Sequence, residues 1–291
     1  MSRVSILVPS RTGAVDGLRA QLARQTLTGW ELIVKRGIAP PARSRNLAAA
    51  EASGEILLFL DDDVQLMDDR VLEDVVRALE AAGPQAAMGV LCRVPADATP
   101  FQHRQEREAF APKVPATDAP WPAVAWDVLG TACCAIARTT FEALGGFDES
   151  LRSGEDFDLW YRLESRGGKA HVLTNRWIGH YPPKTALALI RKTIWYERGN
   201  GRLARKYPNS GYRMPLRGRA QAAGYLALRT LCLVPLMFLK VSYQHRRPVS
   251  AFRPLAALLS YVGAWAYCLG WFEAEPRVQP SSLPMQPIAQ G

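Results

Sequence analysis

The chain opens with short apolar runs separated by amphipathic stretches. Residues 4–8 form a β-branched run closed by Pro9-Ser10-Arg11, residues 15–23 repeat apolar positions at helical spacing, and residues 30–34 are a second apolar run. Together they predict a β–α–β opening. An alanine-rich helix over 44–53 is broken by Gly54, and residues 55–60 are almost wholly apolar, as expected of a strand buried on both faces. That strand runs directly into Asp61-Asp62-Asp63, after which a helix over 69–82 stops at Gly83-Pro84 and a further strand covers 86–94. The alternation predicts an α/β fold: a Rossmann-like three-layer domain with a mostly parallel sheet, in which ligands gather at the carboxyl ends of the strands.

Beyond residue 94 the pattern changes. Prolines recur through 95–122, which reads as a long loop near the site, and strand character returns over 124–138 with a break at Gly130-Thr131-Ala132. Thr139 is expected to cap a short helix closed by Gly145-Gly146. A helix over 155–166 places Phe157, Trp160, Tyr161 and Glu164 on one side and ends at Gly167-Gly168. Two later apolar stretches, 222–243 and 254–272, are each long enough to cross a bilayer and are joined by a basic segment, 244–253. The first contains Arg229 and Pro235, and two full spans would put His245, Arg246, Arg247 and Arg253 outside, against the positive-inside tendency. A re-entrant or in-plane helical hairpin is the better expectation. The expected division is a catalytic domain over 1–183, a basic amphipathic juxtamembrane segment over 184–220, a membrane-associated hairpin over 221–273 and a flexible tail over 274–291.

Charge sharpens this picture. The net charge of +9 resides wholly in residues 184–219, where the one acid is Glu197. A basic block of this kind fits a polyanion, and the apolar sequence beside it favours an acidic membrane surface over nucleic acid. No nucleic-acid module is recognisable. The five cysteines show neither Cys-x-x-Cys pairing nor zinc-finger spacing, which fits a reducing compartment. The N-terminal apolar run is too short for a secretory signal, so the catalytic part is expected at the cytoplasmic face of an inner membrane.

Two acidic groups are candidates for chemistry. Three adjacent carboxylates at a strand end repel one another unless compensated. In an extended segment Asp61 and Asp63 share a side and could hold Mg²⁺ or Mn²⁺ with phosphate oxygens, although a loop or helix-cap role also suits such a run. In Ser153-Gly-Glu-Asp-Phe-Asp158, Glu155 and Asp156 open a helix and sit in its positive field. They could cap it, or Asp156 could take a proton from an attacking hydroxyl.

In order along the chain, the pieces Val4-Ser-Ile-Leu-Val-Pro9, Gln25-Thr26 through Trp30 to Val34, Ser44-Arg-Asn46, Gly54-Glu55 to Asp63, Leu144-Gly-Gly-Phe-Asp-Glu149 and Gly154-Glu-Asp156 resemble the family-two inverting glycosyltransferases of the GT-A fold. The resemblance spans roughly 3–201. It implies a nucleotide-sugar donor, by default UDP-linked, with Asp61 and Asp63 at the metal, Asp61 and Asp62 at the donor diphosphate, Asp156 as the base and Glu155 as its catalytic neighbour. Pro9, Ser10 and Arg11 match the family's nucleotide-binding first loop, and Arg45 matches its arginine before the metal motif. His180 resembles a histidine that completes the metal site in many relatives, though a structural role suits it equally. Arg198 and Arg202 match a basic Gly-rich segment and could hold donor or lipid phosphate, or simply lie on a surface helix. Membrane attachment implies a polyprenyl-linked acceptor in envelope or exopolysaccharide synthesis. One departure is clear: the acidic base-reading loop after the second strand is replaced by Lys35-Arg36-Gly37. A nucleotidyltransferase, or a membrane-anchored scaffold with a degenerate site, are the rival readings.

Overall fold

The computed structural model describes residues 3–108, 129–208, 216–233 and 254–274. They form two compact units, one of residues 3–95 and 129–181 and the other of the described residues from 96–108 and from 182 onwards.

The first unit is built on a seven-stranded sheet in the order β2-β1-β3-β6-β5-β7-β4. Its strands are β1 (Val4–Ser10), β2 (Trp30–Arg36), β3 (Ile56–Leu60), β4 (Val64–Leu66), β5 (Ala86–Arg93), β6 (Cys133–Ala137) and β7 (Lys169–His180). Five strands share one direction, and β6 and β4 are reversed. The helices are α1 (Asp16–Leu22), α2 (Pro41–Glu51), α3 (Val71–Ala82), then α4 (Pro100–Glu108) in the second unit, and α5 (Arg138–Leu144) and α6 (Glu155–Ser165) in the first.

Alternation along the strands sets the layers. Ile6, Leu58 and Met88 bury one sheet face with residues of α1 and α3. Leu7, Leu57, Phe59 and Ile136 bury the other with residues of α2, α5 and α6. The expected three-layer α/β arrangement is therefore present. At one end of the sheet Glu31, on the edge strand β2, ties β1 and the turn before β3 together. It accepts hydrogen bonds from Ser5 Oγ (2.6 Å) and from the amide and hydroxyl of Ser53. These donors hold its carboxyl down at about 2. A Cβ on Gly54 would lie 2.7 Å from the Ser5 amide nitrogen, so only glycine fits where this turn crosses β1.

Several boundaries differ from the sequence expectation. β1 continues through Pro9 to Ser10, because its pairing with β3 ends at Leu7↔Phe59 and the missing N–H of Pro9 therefore costs no bond on that side. α2 begins at Pro41, a residue suited to the first helical position, three residues before the expected start. α5 starts after Ala137 with no side-chain cap, and its Thr140 hydroxyl donates to the Pro84 carbonyl, so Thr139 is not the cap. On α6 the buried positions are Glu155, Asp158, Leu159, Trp160 and Leu163, not the face expected through Phe157 and Tyr161. The loop expected over 95–122 contains α4. Thr99 and Gln102 form a reciprocal capping box around Pro100, the Thr99 hydroxyl accepting from the Gln102 amide and the Gln102 side chain accepting from the Thr99 amide. The remainder of that loop and the expected strand character before residue 129 lie outside the described residues.

The second unit also holds α7 (Ala186–Lys206), α8 (Arg219–Leu231) and α9 (Pro254–Glu273). Thr185 caps α7 by accepting from the Ala188 amide. The hairpin expected over 221–273 is described at its two ends, α8 and α9, and residues 234–253 and the tail 275–291 lie outside the described residues. Among the described residues α9 alone is long and apolar enough to cross a membrane. It packs against α7 at backbone distance: a Cβ on Gly270 would collide with the Arg198 carbonyl and one on Gly201 with the Tyr267 carbonyl. Gly270→Ala should therefore destabilise the chain by about 1–3 kcal/mol. Gly224→Ala, on α8 with open space around it, should leave stability unchanged or raise it slightly. Melting midpoints of the two full-length variants against the parent check the contrast.

Candidate active site

The carboxyl end of β3, the first turn of α6 and the middle of α2 are joined by one side chain. Arg45 is buried, and its guanidinium donates through Nη2 to Asp61 Oδ1 at 2.8 Å and through Nη1 to Glu155 Oε1 at 2.8 Å. Burial works against the arginine's charge, but Asp61, Glu155 and Asp156 outweigh it and hold the guanidinium protonated. Its Nε is buried without a hydrogen-bond partner. Gly154, the N-cap of α6, has φ 81°, a left-handed conformation that suits glycine and turns the chain so that Glu155 and Asp156 occupy the first helical positions.

Asp156 sits beside this cluster without a salt bridge to Arg45. One of its oxygens accepts from the Phe157 amide at 2.9 Å. Although part of its surface still meets solvent, its carboxyl is pushed up to about 7, first by desolvation and then by the neighbouring Glu155 carboxylate. A carboxyl poised near neutrality at a helix start can accept a proton from an attacking hydroxyl.

The aspartate run is not extended. Residues 62 and 63 form a turn between β3 and β4, because β4 pairs with β7 at the far edge of the sheet. The turn separates the two candidates: Asp61 faces Arg45, while Asp63 approaches His180, with Nε2 and Oδ2 3.7 Å apart. Val64↔His180 is the pairing that brings them together. Among the described residues no three His, Cys, Asp or Glu groups form a ready-made metal cage. The pair Asp63 and His180 still offers oxygen and nitrogen donors on a mostly open side, which fits a divalent ion whose other ligands come from a diphosphate.

Pro9 and Ser10 end β1, beside Lys35 and Arg36 of β2 and at the same end of the parallel strands as Asp61. Ser10 Oγ accepts from the Gly13 amide at 2.9 Å, which shapes the turn carrying the exposed Arg11. Arg36 lies against Gly13, so the place of the missing acid is basic. Arg198 and Arg202 are on α7 in the second unit, where both pair with Glu273 of α9. Sequence reasoning missed two supporting residues. Asn46 donates to the Phe147 carbonyl and accepts from the Phe147 amide, both at 2.9 Å, and locks α2 to the Gly145-Gly146-Phe147 turn. Arg162 pairs with buried Asp158 and donates to the carbonyls of Leu144 and Gly146. The i,i+4 spacing of Asp158 and Arg162 was a usable signal.

Residues 13–139 match the family described as Glycosyl transferase family 2. This part of the chain is similar to the family 2 glycosyl transferases. The matched stretch contains Arg45 and the aspartate run, and the Arg45–Glu155 contact brings the acidic start of α6 to it. The O-antigen biosynthesis protein RfbC of Myxococcus xanthus is 32% identical over 137 residues, covering 42% of this chain and 10% of that protein. Among solved structures, the mannosyltransferase PcManGT of Pyrobaculum calidifontis, in complex with GDP-Man and Mn²⁺, aligns with a TM-score of 0.61 at 17% identity over 93% of this chain and 88% of that one. S. aureus TarS 1-349 in complex with UDP aligns with a TM-score of 0.46 at 14% identity, over 93% and 90% of the respective chains. The fold of the first unit is that of the GT-A glycosyltransferases.

Two outcomes follow from the buried charges. Arg45→Ala strands Glu155 and Asp61 and should cost about 3 kcal/mol or more in urea unfolding, with Arg45→Lys recovering only part, since an ammonium cannot reproduce the planar fork. Asp156 binds its proton more tightly in the folded chain than in the unfolded one. It therefore opposes folding increasingly as pH rises from about 4 towards 7. Asp156→Asn should melt above the parent at pH values beyond 7, and the gap should close in acid.

Proposed function

We propose that this chain is an inverting glycosyltransferase that moves a sugar from a nucleotide-sugar donor, by default UDP-linked, to a hydroxyl of a lipid-linked acceptor in O-antigen-like or other envelope polysaccharide synthesis. The observation that carries the reading is the Arg45 bridge. It brings the strand-end aspartate and the acidic helix start into one site, with Asp156 set near neutrality beside it. The similarity to family 2 supports sugar transfer, and the RfbC relative supports the polysaccharide setting.

In the proposed reaction the acceptor oxygen forms its bond to the anomeric carbon as its proton passes to a carboxylate oxygen of Asp156. The bond from that carbon to the donor phosphate oxygen breaks on the opposite face, and its electron pair leaves with the nucleoside diphosphate. Asp63 and His180 would hold a Mg²⁺ or Mn²⁺ ion, which neutralises charge on the leaving diphosphate when bound. PcManGT, which shares the fold and is in complex with GDP-Man and Mn²⁺, supports the use of a divalent ion but does not identify its ligands. The turn at Ser10 and Arg11, with Pro9 and Asp62 at its margins, would receive the nucleotide. Arg198 and Arg202, held by Glu273, would serve the lipid-phosphate side. The basic 184–219 segment and α9 support placement at an inner membrane with the catalytic domain facing the cytoplasm.

The test is transfer or hydrolysis with a panel of nucleotide sugars and Mg²⁺ or Mn²⁺ in detergent, for the parent, Asp63→Ala and Asp156→Asn. The expected result is metal-dependent release of one nucleotide, reduced at least about 100-fold in both variants. In the parent kcat/KM should rise with pH along a limb near 7 as Asp156 loses its proton. Silence across the panel, with no nucleotide or metal bound in calorimetry, would mean a degenerate site and overturn the proposal.

A further inference from the structure

Among the described residues, the large hydrophobic side chains that stand exposed are Leu47 and Met67 in the first unit and otherwise lie on α7, α8 and α9. Their placement on α9 is ordered. Leu258, Trp265, Leu269 and Phe272 are all exposed, and at about 100° per residue they fall within an arc of roughly 60°, forming one stripe of roughly 21 Å along the helix. Outside that stripe α9 meets charge along its whole length. Near its start Arg229 of α8 donates to Ser260 Oγ at 3.0 Å. At its midpoint a Cβ on Gly263 would sit 3.1 Å from Glu197 Cγ of α7. At its end Glu273 pairs with Arg198 and Arg202, and Arg205 donates to the Trp271 carbonyl while stacking on the Trp271 ring. The contacts advance together, Thr193 and Glu197 against Gly263 and Arg205 against Trp271, so α7 and α9 run side by side in the same direction.

From this geometry we infer that α9 does not cross the bilayer but lies along its surface, with the Leu258–Trp265–Leu269–Phe272 stripe facing the acyl chains and the α7 side facing the headgroups and water. The inference rests on the membrane attachment proposed above and states its form. If α9 spanned a hydrocarbon core of about 30 Å, its midpoint would carry Glu197 to the bilayer centre and draw Arg198, Arg202 and Arg205 in behind it. Laid flat, the same pair of helices puts every one of those charges on the wet side. Only the uncharged stripe is then buried, with an aromatic ring in the middle and another at the end, and the polar side that an interfacial helix needs is supplied by α7 and α8, since α9 itself is apolar on most faces. The excess of basic residues over 184–219 suits an anionic lipid surface.

Depth measurements on the full chain test this. Nitroxide labels are placed at Leu258→Cys, Trp265→Cys and Phe272→Cys in a Cys92→Ser, Cys232→Ser background. The chains are bound to vesicles of phosphatidylethanolamine with phosphatidylglycerol and read by power saturation, with circular dichroism confirming that each variant is folded. The expected result is one shared depth, about 5–10 Å below the phosphates. In addition Leu269→Asp should weaken vesicle partition roughly tenfold or more. A graded profile, with residue 265 near the midplane and 258 and 272 shallow on either side, would overturn the in-plane placement while leaving membrane attachment intact. Failure to sediment with vesicles, with label-to-label contact between copies instead, would overturn both in favour of a self-association face. Undiminished partition of Leu269→Asp would show that the stripe is not the contact.

Discussion

A buried guanidinium placed between two carboxylates is the constraint on which the first unit's site depends. Arg45 is 5% exposed in its side chain and Glu155 8%, so neither charge has water to fall back on. Each is tolerable only because the other is within hydrogen-bond distance. The bridge fixes the distance between the end of β3 and the start of α6, two elements far apart in the chain. It also sets the local charge: Arg45 is shared with Asp61 and Glu155 and only partly offsets the burial of Asp156 and the repulsion from Glu155, so Asp156 keeps its proton to about neutrality. Structure and the proposed chemistry meet here, since the carboxyl whose negative charge burdens the fold is the group proposed above as proton acceptor.

The bridge is held from both sides. Asn46, the next residue of α2, exchanges hydrogen bonds with Phe147, and a Cβ on Gly146 would lie 2.8 Å from the Asn46 carbonyl oxygen. Arg162 reaches from α6 to the carbonyls of the same turn. Trp160 Nε1 donates to the Leu129 carbonyl at 2.8 Å and pins the core-facing side of α6. Three short segments, each weak as a motif, therefore interlock through their polar atoms. This explains why Ser44-Arg-Asn46, Leu144 to Glu149 and Gly154-Glu-Asp156 travel as an ordered set: each supplies the partner that another needs.

Much of this was legible in the sequence, and the exceptions have physical causes. β1, β2, β3, β5 and their helices announce themselves through apolar periodicity, because each buries a continuous face. β7 does not, because its register with β5 jumps from Leu173 to Trp177 and the alternation breaks there. β4 is three residues long, too short for any period to show. α4 was hidden by a reading of prolines as loop, although Thr99, Pro100 and Gln102 spell a helix start. Of the residues singled out from the sequence, the structure brings Arg45, Asp61, Glu155 and Asp156 together, but the division of the aspartate run was not foreseen. It depends on β4 turning away to pair with His180, a long-range contact that local spacing does not encode.

The central claim is that the Arg45 cluster makes Asp156 a base near neutrality. The most direct measurement is the titration of the Asp156 carboxyl itself, by difference infrared or carbon-13 spectroscopy of the parent against Asp156→Asn, repeated in Glu155→Gln. The account predicts a carboxyl that titrates near 7 in the parent and moves to lower pH once the Glu155 charge is gone. A carboxyl that titrates in the ordinary range of about 4 in both proteins would contradict it.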